Sequence, residues 1–190
     1  MPLMSASGIS SNSTYPGWIN LAQSRPMSKD DIADFRRWHV NAAKRAKSAG
    51  FDIIYIYSGM GFGPYQFLLP WLNKREDEYG GSLTNRARLT REIVEDMRDA
   101  VGGSCAIALR FSSDELMNLP GELHETAAHD IIAELSDVPD LWDVKSSSWV
   151  TETRSARFTE SGAQEPWVKF VKPLTDKPVV GVGRFTSPDD

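Results

Sequence analysis

Four short stretches of this chain hold residue types suited to chemistry, each at the end of an apolar run. Cys105-Ala106-Ile107-Ala108-Leu109-Arg110-Phe111 closes on a guanidinium, and a cation at the end of a buried run needs an anionic or acceptor partner. Gly181-Val182-Gly183-Arg184 joins glycines, which let backbone N–H groups approach a phosphate closely, to an arginine that adds charge. Beyond Trp142-Asp143-Val144-Lys145 lie Trp149 and Glu152. An indole face attracts alkylammonium ions, and a carboxylate balances a cationic amine or accepts a proton. Ile53-Ile54-Tyr55-Ile56-Tyr57 empties into Ser58-Gly59-Met60-Gly61-Phe62. There Tyr57 is followed by Met60 and Phe62, two side chains that can neither donate to an oxyanion nor deliver a proton. Each feature also has a plainer reading. Arg110 can pair with a loop carboxylate such as Asp114, and Tyr57 can be a packed strand-end aromatic. Trp149 and Glu152 can lie in a solvated loop, and the glycine motif alone is weak.

The elements that must position these residues follow from composition and period. Residues 1–28 are rich in Ser, Pro, Gly and Asn without a period and read as loop, either a frayed terminus or a cover over a site. Ser28 reads as an N-cap with Asp30 and Asp31 in the first turn, and a helical stripe from Ile32 to Ala46 runs to a stop at Gly50. His39 lies in that helix, where a lone histidine is packed or solvent-facing more often than catalytic. A buried strand is expected at 52–57. A loop bearing Gly59, Gly61, Gly63 and Pro64 follows, then a polar segment up to the Gly80-Gly81 turn. A helix is expected from Leu83 to Val101, a strand over 105–111, a helix from His124 to Leu135 and a strand from Leu141 to Lys145. A loop then spans 146–163, a short helix 165–174 and a last strand 178–181. Such alternation implies parallel strands joined by right-handed crossovers, in either a doubly wound sheet or part of a barrel.

Composition narrows the function classes. A net charge of −5 and the lack of a basic cluster interleaved with aromatics argue against nucleic acid or an anionic membrane as partner. The apolar runs are too short to span a bilayer, and the first residues lack the charged and apolar regions of a signal peptide. One cysteine, Cys105, excludes an internal disulfide framework and fits a reducing, cytoplasmic setting. No metal-ligand spacing is visible among the three histidines and one cysteine.

Residues 51–88 carry a more specific signal. Gln66-Phe67-Leu68, Pro70, Asn73-Lys74-Arg75, Asp77, Tyr79-Gly80-Gly81-Ser82-Leu83, Asn85-Arg86 and Arg88 resemble the signature of the old yellow enzyme, or NADH:flavin oxidoreductase, family. Tyr55 and Tyr57 share the Tyr-x-Tyr strand of its trimethylamine and dimethylamine dehydrogenase branch. The resemblance implies an α/β fold, an FMN-dependent (β/α)8 barrel of which strands four to seven are present. A full barrel takes about 250 residues, whereas this chain has 190 in a single partial domain. It also implies that Arg110 sits beside the flavin N1 and O2, and that Gly183 and Arg184 help hold the FMN phosphate. Tyr57, Met60 and Phe62 would then occupy the substrate positions where ene-reducing relatives carry two oxyanion donors and a proton-donating tyrosine. The amine branch keeps a tyrosine at Tyr57 but a histidine where Met60 stands. Trp149 would fall on a tryptophan of the amine-binding bowl and Glu152 on a substrate-facing aspartate, with Tyr57 and Glu152 as the catalytic residues that set the substrate's charge and orientation. Gln66 and the block from Asn73 to Arg88 would be architectural. Any 4Fe-4S cluster, or cysteine linked to FMN, would belong to parts of such an enzyme beyond these residues.

The expectation is a fragment of an FMN-dependent oxidoreductase that oxidises or demethylates a methylated amine, a small-molecule substrate. The alternatives are an ene reductase or NADH oxidase type of flavoenzyme, and an inactive partial barrel acting only by association. An open parallel sheet exposes edges and apolar faces, so homo-oligomers stay open as well.

Overall fold

The structure is a computed structural model and describes residues 3–9, 24–116, 123–146 and 160–185. Two two-residue strands, β1 (Met4–Ser5) and β2 (Arg25–Pro26), pair in parallel within the stretch expected to be loop throughout. Too short to show a period, they are held by Arg25 N–H to Leu3 O and Met27 N–H to Ser5 O, at 3.0 and 2.9 Å. Helix α1 (Lys29–Ser48) starts in a capping box: Ser28 Oγ accepts from the Asp31 N–H while the Asp31 carboxylate accepts from the Ser28 N–H.

Four parallel strands follow in sequence order: β3 (Ile53–Ser58), β4 (Ala106–Ser112), β5 (Leu141–Lys145) and β6 (Val179–Gly181). The first, second and fourth begin one residue later than composition suggests. The crossovers carry α2 (Gly63–Leu68), α3 (Leu83–Val101), α4 (Glu125–Glu134) and α5 (Glu165–Lys169). Helix α2 lies inside the expected loop. Pro64 opens it, in the first turn where no N–H is needed, and residues 64–68 are buried all round, so no polar face marks a period. The expected helix 165–174 divides into α5 and a 3-10 turn (Lys172–Leu174), since Pro173 cannot continue a helical ladder.

Alternation along the strands separates two faces. Ile54, Ile56, Ile107, Leu109, Phe111, Trp142 and Val144 are buried in the apolar core that also holds Leu89, Ile93, Val94 and Met97 of α3. Arg36 of α1 ties that layer to α3 through Asp96 at 2.7 Å and Glu92 at 2.9 Å. His39 is packed as expected: its ring centroid lies 4.6 Å from that of Phe35, and Nδ1–H donates to Phe35 O at 2.8 Å. Ile53, Tyr55 and Val180 point the other way and stay 41, 47 and 41% exposed. Cys105, at the base of β4, is buried, and its thiol donates to Phe51 O at 3.2 Å.

Between α2 and α3, polar side chains do the folding. The Asn73 amide donates to Phe67 O and Tyr79 O, both at 2.7 Å. Arg75 grips Asp77 and reaches back to Ala6 O and Met27 O. Gly80 lies so close to this turn that a Cβ would stand 2.0 Å from Arg75 O, which no side chain tolerates.

Candidate active site

The register brings Tyr57, Arg110, Asp143 and Val180 into one row across the sheet, at the carboxyl ends of the strands. Arg110 Nη1 donates to Asp143 Oδ2 at 2.6 Å, and the guanidinium carbon lies 5.8 Å from the Tyr57 ring centroid. The arginine is thus held between a carboxylate and an aromatic face. Burial alone pulls its pKa down; the charge and hydrogen bond of Asp143, aided by Tyr57, outweigh this and raise it, so it stays cationic. Among the described residues, the carboxylate that Arg110 meets is not the loop residue Asp114 but Asp143 on the neighbouring strand.

The turn after β3 closes over Tyr57. Gly59 passes so near β4 that a Cβ would meet Ser112 Oγ at 2.8 Å. Met60 and Gly61 then both take positive φ, 51° and 75°. For a methionine this costs about 1–2 kcal/mol, and such strain persists where surrounding contacts enforce it. Those contacts are present: Phe62 N–H donates to Gly59 O at 3.0 Å, and Gln66 Nε2 to Gly61 O at 2.7 Å. The resulting turn buries Met60 and directs Tyr57 Oη–H at its Sδ, 3.2 Å away. The Phe62 ring stands edge-on to Tyr57, centroids 5.0 Å apart, and is 45% exposed. The structure therefore assembles Tyr57, Met60, Phe62 and Arg110, all singled out from sequence. It adds Asp143, which the sequence presents as one acid inside an otherwise apolar run.

Gly183 and Arg184 lie just past the end of β6, on the same rim. Gly183 has φ +156°, and a Cβ there would come within 3.0 Å of Gln164 Cβ, so close packing already requires the glycine. Arg184 is exposed with φ 59°, and its carbonyl accepts from Ser161 Oγ at 2.7 Å. Trp149 and Glu152 lie outside the described residues.

A parallel sheet with helices on one face and converging side chains at the strand ends is the layout of a β/α barrel enzyme. The chain belongs to the NADH:flavin oxidoreductase / NADH oxidase family, whose sequence pattern matches residues 6–190. It is similar to histamine dehydrogenase from Rhizobium sp. 4-9, with 48% identity and a TM-score of 0.82 over 90% of this chain and 25% of that one. It is also similar to the 6-hydroxypseudooxynicotine amine oxidase of Pseudomonas geniculata N1, with 47% identity and a TM-score of 0.80 over 93% of this chain and 27% of that one. Dimethylamine dehydrogenase of Hyphomicrobium sp. (strain x) is 36% identical over 180 residues, 93% of this chain and 24% of its own length. The chain thus spans about a quarter of the length of these relatives. Its four-stranded sheet is part of a (β/α)8 barrel, and the family's members are flavin-dependent oxidoreductases with FMN as cofactor.

The rim fits that cofactor on one side. Arg110 spends one donor on Asp143 and, with five N–H groups in all, has capacity for an anionic acceptor. At Gly183 the space beside the glycine is taken by Gln164, so the phosphate reading rests on the position of that strand end alone.

Proposed function

We propose that this chain is the flavin- and substrate-facing wall of an FMN-dependent amine-oxidising enzyme. The observation that carries the reading is the row Tyr57–Arg110–Asp143, with Met60 and Phe62 closing over the tyrosine. Three relatives whose names specify an amine, or an amine activity, support the choice of substrate class. FMN held at this rim beside Arg110 would supply the two-electron acceptor for oxidation of the amine at the carbon beside its nitrogen.

The chain's own residues prepare that event. Arg110 supplies a fixed cation to the electron-rich side of the reduced cofactor. Tyr57 and Phe62 offer ring surfaces to an alkylammonium or amine. Met60 engages the Tyr57 hydroxyl and offers no proton of its own, so the site is poorly equipped to protonate an alkene carbon. Trp149 would enclose the substrate, and Glu152 would balance its charge or take its proton. Gly183 and Arg184 would meet the phosphate end. The location expected for such an enzyme is the cytoplasm.

Anaerobic mixing of the FMN-loaded protein with dimethylamine, trimethylamine and histamine tests the reading. Bleaching of the oxidised flavin by an amine supports it. Reduction by NADH with reoxidation by an enone, and none by any amine, overturns it.

The exposed inner face favours a second reading, in which the 190-residue chain acts only after association. Ile53, Tyr55 and Val180 offer an apolar surface between the open edges of β3 and β6. FMN titration with gel filtration separates the two: stoichiometric uptake by a monomer would exclude a requirement for association.

A further inference from the structure

Asp143 takes part in no step described above, yet Arg110 depends on it. The two residues face each other across β4 and β5, so rigid backbone fixes both ends of the pair. The carboxylate side chain is 6% exposed and stands 2.6 Å from the guanidinium, which is 29% exposed. Its other oxygen, Oδ1, is buried with no hydrogen-bond partner among the described residues. Among the described residues no second donor spreads the charge, and Arg110 compensates the carboxylate. The Tyr57 ring braces the guanidinium as well.

We propose that Asp143 is a positioning residue: it anchors Arg110 at the flavin edge and, by countering its charge, weakens the preference of the site for reduced over oxidised cofactor. This rests on the reading of Arg110 as flavin-facing. An isolated guanidinium favours the extra negative charge of the reduced ring strongly, whereas one paired with a buried carboxylate favours it less. The pair thus sets the driving force for taking electrons from a substrate as well as the geometry.

The test is the midpoint potential of the FMN-loaded protein, with the affinities for oxidised and chemically reduced FMN measured alongside. Asp143→Asn keeps the size and an acceptor oxygen but removes the charge. It is expected to raise the preference for reduced FMN about tenfold, an upward shift of about 30 mV for a two-electron couple. Asp143→Glu keeps the charge and should stay within about twofold of the parent. Asp143→Ser removes the same charge with a smaller group and serves if the asparagine variant fails to fold, as judged by circular dichroism. A neutral variant that binds FMN with an unchanged ratio overturns the inference, as does a glutamate variant that shifts as far as asparagine. An Arg110→Met protein that keeps the parent's preference for reduced over oxidised FMN overturns the reading of Arg110 together with the inference.

Discussion

The two faces of the sheet share the same strands and differ in almost every other respect. Toward the helices, Ile107, Leu109, Phe111, Trp142 and Val144 are sealed, and Trp142 meets Phe111 edge-on with ring centroids 6.1 Å apart. Toward the interior of the barrel, apolar Ile53 and Tyr55 are half exposed, and above them, toward the strand ends, runs the row Tyr57, Arg110, Asp143 and half-exposed Val180. One residue's step along a strand moves a side chain from the layer that stabilises the fold to the one that carries chemistry. A change on the inner row can therefore alter the chemistry while the outer layer stays packed.

Substitutions on each face measure that division. Trp142→Ala, on the helix side, is expected to cost about 3–5 kcal/mol, read as a lower urea midpoint. Arg110→Met, on the inner row, strands the Asp143 carboxylate. It should cost about 3 kcal/mol, where the ranges for an unpaired neutral group and a fully buried broken ion pair meet. Adding Asp143→Asn should recover most of that loss; if it does not, the row contributes by packing and the contrast weakens.

A smaller effect concerns acid. Burial lowers the pKa of His39 from its ordinary 6.5, against the opposing hydrogen bond to Phe35 O. The folded state thus prefers neutral imidazole. The contribution is complete above pH 6.5 and is lost as the pH falls through the lowered value in the folded protein. His39→Gln should flatten the stability profile in that window and leave it unchanged above neutrality, as melting temperatures against pH would show. The smallest effect is expected from Tyr55→Ser on the inner face. Measured by urea unfolding of the 190-residue chain, it should fall within about 0.5 kcal/mol, and a larger loss would mean that this face is covered.

The same division explains what the sequence disclosed. The long helices announced themselves through caps and period: Ser28 and Ser82 accept from Asp31 and Asn85 N–H groups, and α3 ends at Gly102 with φ 63°. The strands were legible from their β-branched and aromatic runs to within one residue. Helix α2 was not, because a segment buried on every side has no alternation to betray it. At the site, Arg110, Tyr57, Met60 and Phe62 could be named from the family pattern. Their meeting could not, since register between strands is set by packing at long range. Asp143 was visible as an acid in an apolar run, but its partner, 33 residues earlier on β4, became evident only once Arg110 and Asp143 were paired.

Cys105 gives this molecule a built-in clock. It lies at the base of β4, five residues from Arg110, or about 17 Å along an extended strand. Only 7% of it is exposed, and its thiol is tied to Phe51 O. An alkylating reagent can reach the sulfur only when the base of the sheet opens, so the labelling rate counts opening events of the outer layer. Because the label lands at the end opposite the charged row, one thiol can time the breathing of the scaffold while flavin absorbance, read from the other end, follows the chemistry.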